Sequence, residues 1–193
     1  MCEDANSQLG KWRVLQGIQM PNVTSMVESQ PQQALEDENL FLPSSIPEPE
    51  RTALGLSALA GEEARLREAQ AHECILQLRT NVKCMSILAK RKKKHDRGVR
   101  KLTRTRARFI SVEVVRDRLL LIYNSSRAAL ISLGKLDPND QRLPPLTVDD
   151  LKRKSTVDKR QRGDTYRSDG GLWVIPGVSM ASIMSLWRKP GED

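Results

Sequence analysis

Apolar positions recur at helical spacing in two long stretches of this chain, and they predict its architecture. From Ala71 onward they fall at Ala71, Ile75, Leu78, Val82, Met85 and Ala89, steps of 4, 3, 4, 3 and 4, which is the seam of a helix that packs against another helix. Cys74 and Leu88 widen that stripe. A second seam runs through Val112, Val115, Leu119, Ile122, Ser126, Ala129 and Leu133 with steps of 3, 4, 3, 4, 3 and 4. Pro47, Glu48, Pro49 and Glu50 suit a helix start, where no intrahelical donor is lost and negative charge meets the positive end of the dipole. The pattern predicts a short helix near 49–60, a long one near 62–91, a break at Gly98, and a second long helix that Gly134 stops. Gly55 and Gly61 each weaken the early part by roughly 1 kcal/mol relative to Ala.

Two amphipathic helices joined by a short link bury their stripes most readily against each other. The expected fold class is therefore all-α: an antiparallel hairpin of two long amphipathic helices, short accessory helices, and extended, partly disordered termini. The organisation reads as an N-terminal arm over 1–45, a helical hairpin over 46–134 with its turn at 90–108, and a linker, short helices and loose tail over 135–193. In the arm one short helix is expected, around Lys11–Gln19. In the last part, Thr147 with Asp150 three residues on forms an imperfect capping box. An amphipathic helix is expected near 178–188, with Trp173, Ile175, Met180, Ile183 and Trp187 as the apolar positions of that region. The many Ala and Ser seam positions make a thin core, one that further helices or a partner would complete.

Charge changes the picture most. Eleven cations, Lys90, Arg91, Lys92, Lys93, Lys94, Arg97, Arg100, Lys101, Arg104, Arg106 and Arg108, stand in nineteen residues with one acid, Asp96. That segment carries +10 in a chain whose net charge is +8, so everything else sums to −2. Cations at the end of a helix meet its negative carbonyls, and Lys90 to Lys94 are placed for that. The dipole effect is confined to the last turn, however, and self-repulsion across such a run asks for anions nearby. The run is the candidate nucleic-acid-binding site, with DNA or another polyanion as the expected partner; "KRKKK" also has the look of a nuclear import signal. No aromatic interleaves the run, so contact with the phosphate backbone and weak sequence preference are expected.

Other chemistry finds little footing. Cys74 and Cys84 lie about 80° apart around one helix, and no CxxC or HxxxH pattern exists, so no metal site and no cofactor are expected. Neither His72 nor His95 stands beside a nucleophile motif, and Gly170-Gly171 lacks the Lys-Ser/Thr of a phosphate loop. Three widely spaced cysteines suggest a reducing compartment. The opening "MCEDANSQLGKWRV" carries acids where a signal peptide needs a basic region. The run Leu119–Tyr123 is too short to span a bilayer, so no membrane association is expected. The chain reads as soluble and nuclear, otherwise cytoplasmic, and not as an enzyme. The seams also allow a homo-oligomer.

An ordered set of segments adds to this. "LREAQAHECILQLR" (Leu66–Arg79), "KLTRTRARF" (Lys101–Phe109), "YNSSRAALISLG" (Tyr123–Gly134) and "LTVDDLKRKST" (Leu146–Thr156) resemble the C-terminal region of fungal Kyakuja–Dileera–Zisupton transposases. "WRVLQGIQMP" (Trp12–Pro21) and "LFLPSS" (Leu40–Ser45) are similar to segments just upstream in the same family, and Trp173 resembles its terminal aromatic cluster. The resemblance covers about residues 11–175 and is firmest over 42–134. Gln19 stands where the family often has Tyr, and Arg108 where it often has Trp. The resemblance implies a transposase tail. The family's cysteine cluster and metal-binding carboxylates lie upstream of the matched region, so no catalytic residue carries over to this chain.

Overall fold

The protein is described by a computed structural model, which covers residues 2–29, 38–95, 99–151 and 170–175. It is all-α, with no strand among the described residues, and its two long helices pack against each other. Among the described residues six α-helices follow in order: α1 (Cys2–Gln19), α2 (Thr24–Glu28), α3 (Glu48–Ala53), α4 (Ser57–His95), α5 (Val99–Ser132) and α6 (Gly171–Val174). The chain divides into two compact units, Met1–Ala64 and Arg65–Asp193.

The N-terminal unit departs from the expected arm. Its helix begins at Cys2 rather than near Lys11, and the segment after it is packed. Met20, Val23, Ile46 and Leu56 are buried together, with Trp12, Phe41 and Leu59 packed at their edge. Polar side chains of α1 hold the returning chain. Gln16 Nε2 donates to Leu40 O at 2.8 Å, and Arg13 reaches Glu38 Oε1 at 2.7 Å and Asn39 O at 2.8 Å. The apolar residues that make this small core are four in number and scattered over 37 positions of sequence, which leaves no periodic signal to read. The short helix expected near 49–60 is instead interrupted at Gly55, with α3 ending at Ala53 and α4 starting at Ser57. Gly55 adopts φ +71°, its N–H meets Thr52 O and the Leu56 N–H meets Arg51 O, the paired bonds that close a helix on a left-handed residue.

In the second unit, Arg65–Asp193, the remaining part of α4 and α5 form the hairpin. Ser126 Oγ donates to Gln70 Oε1 at 2.8 Å, and Asn81 Nδ2 donates to Val112 O at 3.0 Å. Contacts that climb α4 while descending α5 require an antiparallel pair. Gly134 ends α5 as expected, at φ +67°, with its N–H on Ile131 O and the Lys135 N–H on Leu130 O. The predicted break at Gly98 falls outside the described residues, as do the expected helix at 178–188 and Met180, Ile183 and Trp187.

Burial follows the predicted seams only in part. Ala71, Cys74, Ile75 and Leu78 are buried as the spacing implies, and so are Leu119, Ser126 and Leu133. Toward the turn the seam opens: Val82 and Met85 are half-buried, Ala89 is exposed, and Val115 is 51% exposed. On α5 the deepest residues include Leu120, Tyr123 and Leu130 rather than Ile122 and Ala129. The reason is a third layer. The stretch read as a linker, 135–146, buries Leu136, Leu143 and Leu146. Tyr123 Oη donates to Pro144 O at 2.7 Å, Asn124 Nδ2 to Leu146 O at 2.8 Å, and Arg127 Nε to Leu143 O at 2.8 Å. That strap covers one flank of α5 and draws the buried stripe round toward it.

Beyond the strap, Thr147 and Asp150 make half of the expected capping box: the Thr147 amide and hydroxyl both donate to Asp150 Oδ2, at 2.8 and 2.6 Å. Those donors hold the Asp150 carboxyl below its usual range. Its contribution to stability is therefore complete above pH ~4 and fades as acid protonates it. Residues 170–175 return to α4, where Arg79 Nη2 donates to Leu172 O at 3.0 Å and Ile175 O at 2.7 Å.

Two substitutions test this packing by urea unfolding. Leu78→Ala, at a fully buried position, is expected to lower stability by about 2–5 kcal/mol. Gly170→Ala would drive a Cβ into the backbone carbonyl of Asp150 and is expected to cost about 1–3 kcal/mol while leaving the far-ultraviolet helix signal intact.

Candidate nucleic-acid interface

Of the eleven predicted cations, six line one cleft between the turn-proximal ends of α4 and α5: Lys90, Arg91, Lys94, Lys101, Arg104 and Arg108. The cleft has a volume of about 770 Å³, and Ile87 and Thr105 complete its lining. The grouping follows from helical geometry. Positions 90, 91 and 94 share a face of α4, and 101, 104 and 108 share a face of α5, because residues three and four apart stand above one another. Antiparallel pairing then brings the two faces together. Lys92, Lys93, Arg100 and Arg106 are exposed elsewhere on the tip, and Arg97 lies outside the described residues.

The local electrostatics are one-sided. Between Glu73 and Glu113 the sequence holds a single acid, Asp96, and among the described residues none of the six cleft cations is bonded to a carboxylate. At the end of α4 cations complement the helix dipole. At the start of α5 they oppose it: the first turn holds no acid and carries Arg100 and Lys101. Each misplaced charge there is unfavourable by about 0.3–1 kcal/mol at low salt. Helix capping therefore accounts for half of the run and not for the other half. An anion seated in the cleft would relieve both the mutual repulsion and the unfavourable start of α5.

The nearest aromatic, Phe109, is half-buried and has Lys92 Nζ 5.8 Å from its ring centre, a cation–π contact that occupies its face. What the cleft presents is flexible positive charge without a stacking platform, and that suits phosphate oxygens better than base edges.

Other reactive groups stand apart from the cleft. Cys74 is buried, and burial with Glu73 beside it pushes its thiol up to about 11; Cys84 is exposed. His72 is half-buried, its Nδ1 has no partner among the described residues, and desolvation lowers its pKa against the opposing pull of Glu68. Among the described residues no group of three or more His, Cys, Asp or Glu side chains is placed to hold a metal, and no helix is long and apolar enough to cross a membrane. Compared with family models, curated proteins and solved structures, the chain matches none.

The run of cations was legible from composition alone. Their division between a cleft and the outer surface was not, since it depends on the register of α4 against α5. The strap clamp of Tyr123, Asn124 and Arg127 escaped the sequence reading too, although Leu136, Leu143 and Leu146 beside two prolines are a signal for a packed extended segment.

The two thiols should differ in reactivity. At pH 8 iodoacetamide is expected to label Cys84 readily and to leave Cys74 protected in the folded protein, with about one Cys74 in a thousand ionised, as read by peptide mass spectrometry. Because the buried thiol titrates above its ordinary 9.0, Cys74 withdraws stability as pH rises from about 9 toward 11.

Proposed function

We propose that this chain is a non-catalytic helical module, derived from a transposase of the Kyakuja–Dileera–Zisupton kind, that holds nucleic acid by its phosphate backbone at the tip of the hairpin. The observation that carries the reading is the cleft in which six cations from two helices converge, none of them bonded to a carboxylate among the described residues. The ordered segments that resemble the transposase tail supply the lineage, and they agree with a binding part that lies downstream of a catalytic core. A nuclear site of action accords with the "KRKKK" stretch at Lys90–Lys94.

The physics of the interaction is counterion release. Phosphates neutralised in the cleft free the cations condensed on the duplex, so affinity falls steeply with salt. Six contacts give a slope of about −5 for the logarithm of affinity against the logarithm of salt concentration. Sequence preference is expected to be slight, because the cleft offers clustered flexible charge and no aromatic among its lining residues.

The test is a salt titration of binding to random-sequence duplex DNA by fluorescence anisotropy. Lys101→Ala with Arg104→Ala is expected to weaken binding and to reduce the slope by about 2. A flat salt dependence, or unchanged affinity in the double variant, overturns the reading.

A further inference from the structure

We infer that the open face of the hairpin docks a second copy of this chain, α4 against α4 in antiparallel orientation. The strap covers one flank of the helix pair, and the opposite flank carries an apolar groove of about 510 Å³ between α4 and α5. Leu76, Thr80 and Cys84 line it from α4, and Ser111, Val115 and Leu119 from α5. Apolar exposure continues along this face: Val115 is 51% exposed and Ile87, one turn beyond Cys84, is 64% exposed.

The floor of the groove carries one unsatisfied polar group. Asn81 lines the groove and is only 8% exposed, and its Nδ2 is spent on Val112 O. Its Oδ1 is buried and has no hydrogen-bond partner among the described residues. A buried acceptor left alone costs about 1–3 kcal/mol, so the packing beneath the groove is incomplete.

Helix α4 is itself the matching ligand. Leu76, Thr80, Cys84 and Ile87 put small and apolar side chains at three- and four-residue spacing on one face. A two-fold axis placed at Val82 sets Thr80 against Cys84 of the second copy and Gln77 against Ile87. It also sets Glu73 level with Arg91 of the second copy, and symmetry makes that ion pair twice. The same axis sends the two Lys90–Lys94 stretches in opposite directions, their centres roughly 30 Å apart at 1.5 Å of rise per residue, several times the screening length of about 8 Å. A parallel pairing would lay the runs side by side. Arg91 belongs to both surfaces, so a second copy and a polyanion compete for it.

The test uses the full chain without nucleic acid, which separates it from the binding reading. Sedimentation equilibrium up to 100 µM is expected to give a species of twice the 21.8 kDa chain mass. Thr80→Glu, a change at an exposed position that places two carboxylates near the axis, is expected to weaken the dimer at least tenfold with helicity and thermal midpoint unchanged. Glu73→Arg and Arg91→Glu are each expected to weaken it several-fold, and the double swap to regain the lost affinity. A monomer at 100 µM overturns the inference. So does a Thr80→Glu protein that dimerises as before, or a double swap no better than its single variants.

Discussion

The clamp that Tyr123, Asn124 and Arg127 place on the strap is the interaction on which the second unit depends. Two helices alone share one line of contact, and many positions on that line here are Ala, Ser or Cys. A pair with so little volume to bury gains little against the entropy of ordering it. The strap adds Leu136, Leu143 and Leu146 as a third layer. Its carbonyls would be buried without donors, and the three side chains of α5 supply them. Tyr123 is fully buried and its phenol is pushed above its ordinary pKa by desolvation, so it remains a neutral donor across the physiological range.

The third layer also explains why the hairpin has two characters along its length. Where the strap and residues 170–175 lie against it, α4 and α5 are buried on two sides. Toward the turn there is no such cover among the described residues, and the apolar seam gives way first to a groove and then to the cationic cleft. Rigid packing at one end and exposed charge at the other fit a part that presents a surface. The gradient along one open face, apolar then positive, is the physical basis of both proposals made above, and Arg91 is where they meet.

Much of the hairpin was readable from the chain. The heptad spacing located both long helices, Gly134 marked the end of the second, and Thr147 with Asp150 announced a capping contact. Each of these is a local property: dihedral preference at glycine, the reach of a short side chain, the 3.6-residue period. The readings that failed were of segments without a period. The residues before Pro43 and those after Gly134 have few apolar positions and many turn formers, and both were taken for loose chain. Some of their apolar residues, Met20, Val23, Leu136, Leu143 and Leu146 among them, are nonetheless buried, because single leucines and methionines far apart in sequence find partners that only the folded chain supplies.

The sequence by itself determined the helical class, the antiparallel pairing and the concentration of charge at the turn, since periodicity and composition act over short distances. Only the tertiary structure decided which flank of α5 is buried, which six of the cations share a cleft, and that Asn81 keeps an unanswered oxygen beneath an open groove. Those depend on the register between elements and on the layer laid across them. Register is set by the summed packing of many side chains, and no single residue carries it.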